Sequence, residues 1–221
     1  MKIVNWNMQG ASHSIENKWN TGVQNLLAGQ ADVCCLQECG AIPPSAQLVY
    51  GNVNGFAGLN LYTWGTTRKH KYILFYQSDP NGNRCNLAIV SNIPIINPKI
   101  CGTLLYPAAP PVRRPVIGLF VNGLAVFSIH AISPGGPDAP GLLNSVANNM
   151  GANPWSVSGD YNRDPASMAG AGIVCPPNAP TYSSTNPHKK IDYLTKQDGP
   201  IVEGQVLNLL LSDHLPVVFM I

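Results

Sequence analysis

Six acidic and histidine residues share one kind of position in this sequence, at the edge of an apolar, strand-like segment. They are Glu38, His130, Asp160, Asp192, Asp213 and His214. Strand edges on one rim of a sandwich can converge on a single pocket, where carboxylates repel one another and require a cation or protons. Oxygen ligands with few soft donors favour Mg²⁺, with Mn²⁺ as a substitute. The pattern therefore indicates metal-assisted chemistry.

Each of these motifs has an ordinary structural explanation when it is taken alone. Ser158-Gly-Asp160-Tyr-Asn162 fits a polar turn, and Ser212-Asp213-His214 fits a helix cap or a loop. A single histidine at a strand end, such as His130, is commonly a hydrogen-bonded core residue. The order and spacing of the whole set are much harder to obtain by chance, so the set indicates an active site.

The overall charge of the chain is low. Of its 221 residues 13 are basic and 11 acidic, so charged residues make up 11%, against about 25% in an average globular protein. Hydrophobic residues make up 45%, which excludes a disordered chain. The net charge of +2 argues against a strongly electrostatic nucleic-acid binder. Because four of the 11 acids and two of the 5 histidines occupy the six positions above, the low charge says little about the site.

No shift in composition, repeat or low-complexity segment marks a linker, so residues 1–221 are predicted to form one domain. No apolar run approaches the roughly 18 residues of a membrane span, and we expect no stable membrane insertion. Residues 1–6 have the pattern of a strand and not of a secretory signal. We expect either a processed form or a protein made without such a signal, which leaves an intracellular origin open.

The six cysteines lie at positions 34, 35, 39, 85, 101 and 175. No Cys-x-x-Cys pair occurs, so a structural zinc site is not expected. Cys34 and Cys35 lie within an apolar, strand-like run, which favours buried thiols that behave as small apolar side chains. The sequence leaves the disulfides open.

The apolar patterning predicts many strands and few helices. Helices are predicted over 15–29 and 140–150, and strands over 2–8, 31–36, 72–76, 86–90, 115–121, 124–129, 155–158, 190–195 and 216–221. Asn122-Gly123 lies between two strand-like runs and is a strong hairpin signal. Several hairpins with few helices favour an α/β sandwich with mainly antiparallel sheets over alternating βα units.

The motifs together resemble two nested families. Those of the endonuclease/exonuclease/phosphatase superfamily of deoxyribonuclease I are Asn5-Trp-Asn7-Met-Gln9-Gly10, Leu36-Gln-Glu38, Ile129-His130, Gly159-Asp160-Tyr-Asn162-Arg163, Ile191-Asp192-Tyr193 and Ser212-Asp213-His214. Those similar to the catalytic B subunits of cytolethal distending toxins are Trp6-Asn-Met-Gln-Gly10, Glu16-Asn-Lys-Trp-Asn20, Arg84-Cys-Asn-Leu-Ala-Ile-Val-Ser91, Arg114-Pro-Val-Ile-Gly118, Phe127-Ser-Ile-His-Ala131 and Ser183-Ser-Thr185. The resemblance runs from about residue 3 to residue 221.

The resemblance implies the deoxyribonuclease I-like four-layer α/β sandwich, in which two packed, mainly antiparallel sheets are flanked by helices. It implies a Mg²⁺-dependent deoxyribonuclease with little sequence preference that acts as a genotoxin and damages DNA in target cells. Glu38 would bind the metal with Asn7 nearby, and Asp213 would complete the metal shell directly or through water. Arg84 and Arg114 would contact phosphates of the DNA backbone.

The resemblance also implies catalytic roles. Asp160 and Asn162 would orient the attacking water and hold the scissile phosphate, and His214, oriented by Asp192, would be the general base. His130 would hydrogen-bond the phosphate or protonate the leaving oxygen, two alternatives that the sequence leaves open. These roles suit phosphodiester hydrolysis because the reaction builds negative charge on the phosphate, which a metal and neutral or cationic donors offset.

Three departures from the superfamily pattern bear on these roles. Gln9 stands where abasic-site endonucleases carry an aspartate, which weakens a two-metal interpretation. Pancreatic deoxyribonuclease supports the histidine that corresponds to His130 with a glutamate, whereas residues 68–72 here contain no acid. We therefore expect His130 to be less basic or to be held otherwise. The connection from Asp192 to Asp213 is also shorter than in the toxin subunits.

Seven of the 13 basic residues fall in three short runs, at 68–71, 113–114 and 189–190. One interpretation is an ordinary solvated surface, and the other is a discontinuous rim that contacts phosphates around the site. No side chain can be assigned to a base edge, so we expect little sequence preference. The modest net charge predicts weak, salt-sensitive DNA binding.

Two other functions fit the same motifs. The superfamily also includes phosphoinositide phosphatases that act on lipids of the trisphosphorylated type, although the aromatic-Cys-Asp-Arg segment of inositol 5-phosphatases is replaced here by Lys190-Ile-Asp192-Tyr. A binding module without turnover is the third hypothesis, and the full set of expected catalytic side chains argues against it. The toxin resemblance further implies separate delivery or cell-binding subunits, secretion, and action on DNA in the nucleus of a target cell.

Overall fold

The computed structural model describes residues 1–10, 17–29, 31–66, 69–79, 84–111 and 113–221. In chain order its strands are β1 (Lys2–Asn7), β2 (Val33–Gln37), β3 (Gln47–Tyr50), β4 (Leu59–Thr66), β5 (Lys69–Tyr76), β6 (Leu87–Ser91), β7 (Gly102–Leu105), β8 (Val116–Val121), β9 (Leu124–His130), β10 (Trp155–Asp160), β11 (Ile173–Cys175), β12 (Asp192–Lys196), β13 (Gln205–Val206) and β14 (Val217–Met220). Its helical segments are the π-helical Lys18–Val23, α1 (Gln24–Gly29), α2 (Ala139–Met150) and the 3₁₀ turns Val53–Gly55 and Pro165–Ser167.

The strands form two sheets that pack against each other. The larger sheet has the order β13-β14-β1-β2-β6-β5-β4-β3, and the smaller has the order β11-β12-β10-β9-β8-β7. Within the described residues, the pairs β1–β2 and β9–β10 are parallel and the other paired strands are antiparallel. The predicted sandwich of two mainly antiparallel sheets flanked by helices is confirmed.

Alternation along β1 shows how the layers are built. Val4 and Trp6 point outward, where they pack with Trp19 and Val23 of the first helical segment. Ile3 points the other way, into the core between the sheets. Both faces of this strand are buried because successive side chains alternate between two packed layers. The strand therefore has little of the apolar–polar alternation that marks a half-exposed sheet.

The second helical layer lies on the smaller sheet. Leu142, Leu143 and Val146 of α2 are buried in the same continuous core as Trp155 and Val157 of β10. Their spacing of three to four residues places them on one face of the helix. With the layer that holds Trp19, this gives the order helix, sheet, sheet, helix. Among the described residues, no helix has the length and apolar character needed to cross a bilayer.

The two parallel strand pairs bring polar side chains to one rim of the sandwich. Asn7 is paired with Gln37 at the ends of β1 and β2, and Asp160 is paired with His130 at the ends of β10 and β9. Asp160 is also opposite Asp192, the first residue of β12.

Hydrogen bonds join the two sheets at this rim. Asn7 Nδ2 donates to Asp160 Oδ2 at 3.0 Å, and Gln37 Nε2 donates to Ser128 Oγ at 2.9 Å. All four groups are buried, so these bonds satisfy polar atoms that water cannot reach. The convergence of strand ends expected from the sequence is therefore present.

Most elements lie where the pattern predicts them. The hairpin at Asn122-Gly123 joins β8 to β9, and Cys34 and Cys35 are buried free thiols. Residues 15 and 16 of the predicted first helix lie outside the described residues, and its next turns are π-helical. Five strands are not predicted, namely β3, β4, β7, β11 and β13. Four of these five are the edge strands of the two sheets, where short length and exposed faces weaken the apolar pattern.

The tight approach of β10 to β9 gives a first prediction. A Cβ at Gly159 would overlap the backbone carbonyl oxygen of Ile129, and backbone cannot move aside as a side chain can. We expect Gly159→Ala to lower the free energy of unfolding in urea by more than about 2 kcal/mol. Gly29→Ala is the matched control because a methyl group at Gly29 would have nothing within 4 Å of it. A Gly159→Ala protein as stable as this control would contradict the packing described here.

Candidate active site

A cleft of about 430 Å³ opens at the rim where the two sheets meet. Eight of the ten predicted site residues line it, namely Glu38, Arg84, Arg114, His130, Asp160, Asn162, Asp213 and His214. The other two lie behind the cleft wall: Asn7 is bonded to Asp160, and Asp192 is bonded to His214. The structure thus brings all ten residues to one place.

Asp160 lies at the base of the cleft and is almost fully buried. Its Oδ1 accepts from the backbone N–H of Asn162 at 2.8 Å, and its Oδ2 accepts from Asn7 Nδ2 at 3.0 Å. Asn162 adopts a left-handed backbone with φ +50°, which asparagine tolerates well and which turns its amide back toward Asp160. Burial, followed by the charge of Asp192, raises the pKa of Asp160 to about 7. Burial therefore disfavours the ionised form of this carboxyl group.

His214 and Asp192 form a buried hydrogen-bonded pair. His214 Nδ1 lies 2.8 Å from Asp192 Oδ2, which also accepts from Thr181 Oγ1 at 2.6 Å. The pair leaves His214 Nε2 3.9 Å from Asp160 Oδ2. Burial acts against the charged imidazolium, but the charge and hydrogen bond of Asp192 outweigh it and raise the pKa of His214 to about 9. Asp192 thus fixes both the orientation of the ring and the nitrogen that faces the cleft.

His130 lies on the other side of Asp160. Its Nε2 is 3.7 Å from Glu38 Oε1 and 3.7 Å from Asp160 Oδ2. Its Nδ1 is buried and has no hydrogen-bond partner among the described residues. Burial, with the nearby charges of Arg114 and His214, holds the pKa of His130 well below its ordinary value. The neutral form of the ring is therefore favoured.

Glu38 and Asp213, the predicted metal ligands, are the more accessible acids of the cleft. Glu38 Oε2 accepts from Arg84 Nε at 3.1 Å. The backbone N–H of Asp213 donates to Gln9 Oε1 at 3.2 Å. Gln9 therefore orders the backbone that carries Asp213.

Asn7, which the sequence predicts to lie near the metal, has side-chain bonds that place it beside Asp160. Its Nδ2 donates to Asp160, and its Oδ1 accepts from the backbone N–H of Gln9 at 3.0 Å. Both the nitrogen and the oxygen of this amide are thus hydrogen-bonded to residues at the rim. In this arrangement Asn7 holds Asp160 in place.

The donor set of the cleft fits a hard divalent cation. Ligand atoms of Asp160, Asp192 and His214 lie within 4.8 Å of one another, and Asp192 Oδ1 has no hydrogen-bond partner among the described residues. Glu38 and Asp213 add two carboxylates on the same cleft. Burial and the neighbouring charge of Asp192 raise the pKa of Asp160, so a nearby cation would favour its ionised form. Carboxylate oxygens are the ligands that Mg²⁺ and Mn²⁺ favour.

The basic residues divide between the cleft and other surfaces. Arg114 lines the cleft, and its Nη1 donates to the carbonyl oxygen of Ala131 at 3.1 Å. Lys189 also lines the cleft, whereas Lys69 and Lys71 line a different pocket. Arg68 lies outside the described residues. The predicted rim of basic residues is therefore shorter than the three sequence runs suggest.

Several residues of the site carry no functional signal in the sequence. Lys18 Nζ donates to the carbonyl oxygens of Met8 and Gln9 at 2.6 and 3.1 Å, and burial lowers its pKa. It belongs to a toxin-like segment but has no predicted role. Thr181 and Tyr182 lie in a loop without a recognised motif, and only the folded chain brings them to Asp192 and His214.

Comparisons with known proteins identify the family of the chain. Residues 4–214 match the Endonuclease/Exonuclease/phosphatase family. The chain is 32% identical over an alignment of 248 residues to the cytolethal distending toxin B-subunit homolog of Salmonella typhi, covering 99% of this chain and 88% of the relative. It is 28% identical to a chain in the crystal structure of cytolethal distending toxin from Actinobacillus actinomycetemcomitans, with a TM-score of 0.86 and coverage of 99% and 97%.

A more distant solved structure shows the same fold. The 3′ phosphatase NExo from Neisseria, bound to a product DNA hairpin, is 18% identical with a TM-score of 0.63, and the match covers 100% of this chain and 98% of that one. At this identity the likeness concerns the fold alone.

The His214–Asp192 pair gives a prediction for the metal-free protein. Replacing Asp192 by Asn removes the charge that raises the pKa of His214, so we expect that pKa to fall from about 9 to below about 8. The measurement is an NMR titration of the His214 ring in chelator. Asp198→Asn, at an exposed position six residues further along the chain, is the control. Equal pKa values for wild type and Asp192→Asn would show that Asp192 does not set the protonation of His214.

Proposed function

The chain belongs to the Endonuclease/Exonuclease/phosphatase family, and from this membership we propose that it is a Mg²⁺-dependent deoxyribonuclease that hydrolyses DNA phosphodiester bonds with little sequence preference. The observation that carries the proposal is the placement of one buried carboxyl group, Asp160, between two imidazoles. His130 Nε2 and His214 Nε2 lie 3.7 and 3.9 Å from the same oxygen. A phosphate bound above Asp160 would have a nitrogen donor or acceptor on each side.

His214 is suited to accept the proton of the attacking water. Asp192 holds Nδ1, so Nε2 is the nitrogen directed at the cleft. A neighbouring carboxylate also stabilises the imidazolium that forms when the proton arrives. Asp160 and Asn162 would orient the water and the phosphate, because their polar atoms line the cleft beside Nε2.

His130 is suited to hydrogen-bond the phosphate. Its low pKa keeps the ring neutral, and a neutral imidazole donates a hydrogen bond but is a weak acid. Of the two roles that the sequence left open, we therefore assign the hydrogen bond to a phosphate oxygen. Arg84 and Arg114 would hold the phosphate from the same wall, since both line the cleft.

The cation would be held by Glu38 and Asp213, with Asn7 and Asp160 beside them. When bound, Mg²⁺ would offset the negative charge that builds on the phosphate oxygens. It would also lower the pKa values of Asp160 and His214, because a nearby positive charge favours the ionised carboxylate and disfavours the imidazolium. At neutral pH this favours the unprotonated His214 that a general base requires.

The similarity to toxin subunits supports a biological role. Relatives at 32% and 29% identity are named as the B subunit of cytolethal distending toxin or its homolog. We therefore propose that this chain damages DNA in a target cell and is carried there by separate delivery or cell-binding subunits. The action of such an enzyme on chromosomal DNA would take place in the target-cell nucleus.

Plasmid nicking tests the nuclease proposal. Purified protein with Mg²⁺ should convert supercoiled plasmid to the open circle, and chelator should abolish this. His214→Ala should lower the rate at least about 100-fold, because a general base contributes this much. His70→Ala is the control, since His70 is exposed and bonds Tyr72 away from the cleft. Intact plasmid with the wild-type protein, or nicking that survives both chelator and His214→Ala, would exclude the proposal.

Phosphate release from a trisphosphorylated inositol lipid tests the alternative function. The family contains phosphatases as well as nucleases, and the cleft has cationic side chains that any phosphate could meet. We expect the same preparation to nick plasmid with a higher kcat/KM than it shows for phosphate release from the lipid. A higher value for the lipid would make phosphoinositide hydrolysis the principal activity.

A further inference from the structure

The cleft contains a continuous row of side-chain contacts with a cation at each end. In order, the contacts join Arg84 to Glu38 (3.1 Å), Glu38 to His130 (3.7 Å), His130 to Asp160 (3.7 Å), Asp160 to His214 (3.9 Å), the His214 ring to the Tyr182 ring (4.9 Å between centroids) and Tyr182 to Lys189 Nζ (5.5 Å from the ring centroid). The catalytic candidates occupy the middle of the row. Arg84 and Lys189 lie at its two ends.

Lys189 and its neighbour Lys190 have different environments although they are adjacent in sequence. Lys190 is half-buried, and its Nζ donates to the carbonyl oxygen of Pro177 at 2.9 Å. Lys189 is exposed, lines the cleft and lies over the face of Tyr182. A cation over an aromatic face is attracted to it. Only Lys189 of this pair is therefore placed to meet a substrate.

The segment that carries Tyr182 and Lys189 is fixed to the catalytic residues. Thr181 and Tyr182 donate through their backbone N–H groups to the carbonyl oxygen of Lys189 at 2.8 and 3.2 Å. The hydroxyl of Thr181 bonds Asp192, and the backbone N–H of Ser184 donates to the carbonyl oxygen of Asp213 at 2.7 Å. The backbone at Lys189 thus has a set position relative to His214.

The charge of Lys189 is available to an anion. At the other end of the row, Arg84 is already paired with Glu38. Among the described residues, no carboxylate lies within ion-pair distance of Lys189 Nζ. Lys189 therefore contributes positive charge to the cleft that the protein itself does not offset.

We propose that Lys189, held over the Tyr182 ring, binds the phosphate next to the scissile phosphate along a DNA strand, at the end of the cleft away from Arg84. The inference rests on the proposed nuclease function and specifies the substrate further. A substrate that reaches both the catalytic residues and Lys189 must carry a second phosphate next to the one that is cut. Internal bonds of a strand meet this condition, and small phosphodiesters with one phosphate do not.

The test compares Lys189→Gln with Lys190→Gln. Binding to a 20-base-pair duplex is measured in chelator over a range of salt concentrations, which needs no turnover. One lost phosphate contact should reduce the slope of log K against log salt by about 0.9. We expect this for Lys189→Gln and not for Lys190→Gln. Lys189→Arg, which keeps the charge, should retain the wild-type slope.

A kinetic measurement distinguishes the loss of a substrate contact at Lys189 from a general structural effect of the substitution. The kcat/KM of Lys189→Gln should fall about fivefold more on plasmid than on bis(4-nitrophenyl) phosphate, which has no second phosphate. An unchanged salt slope, or equal losses on both substrates, would overturn the assignment. If Lys189→Gln lowered only the rate of phosphate release from inositol lipid, the assignment of a DNA phosphate to Lys189 would be wrong. The binding measurement needs no turnover, so it tests the Lys189 contact by itself. Failure of the wild-type protein to nick plasmid would refute the nuclease proposal and leave the binding result to be judged separately.

Discussion

Burial of two carboxyl groups opposite each other, Asp160 on β10 and Asp192 on β12, is the constraint on which the rest of the site depends. Such a pair is costly to bury unless hydrogen bonds, a proton or a cation offset the charge. The surrounding residues supply the first of these: Asn7 and Asn162 donate to Asp160, and Thr181 and His214 bond Asp192. The raised pKa of Asp160 shows that these hydrogen bonds do not keep the carboxyl group fully ionised at neutral pH. A proton or a divalent cation is the remaining means, and the proposed reaction would use a cation in this cleft.

The fold places Asp160 and Asp192 opposite each other at the rim of the sandwich. Two parallel strand pairs in otherwise antiparallel sheets end at one rim. There the hydrogen bond between Asn7 and Asp160 joins the two sheets. The low charge of the chain, 11% of its residues, is compatible with a charged site because the acids that matter are concentrated at this rim. Away from the rim, the central strands β1, β2, β6 and β10 have buried side chains on both faces, so the strands that carry most site residues lie in a close-packed scaffold.

The sequence predicts the central strands and all ten residues that meet at the rim, because strand ends and polar motifs are local signals. It fails for β4 and for the edge strands β3, β7, β11 and β13, which are short or partly exposed. It also fails for Thr181 and Tyr182, since their contacts with Asp192 and His214 depend on the path of a loop. The difference between Lys189 and Lys190 likewise needs the fold, because only the fold brings Lys190 to the carbonyl oxygen of Pro177 and Lys189 to the cleft.

The central claim is that the carboxylates of this cleft bind a divalent cation. Calorimetric titration of Mg²⁺ into the protein tests it most directly, with Glu38→Gln compared to wild type and Glu203→Gln as an exposed control. The account predicts saturable binding to wild type and control, weakened at least about tenfold by Glu38→Gln, with the same unfolding midpoint for all three proteins in chelator. Equal Mg²⁺ affinity in wild type and Glu38→Gln, or no saturable binding at all, would contradict it.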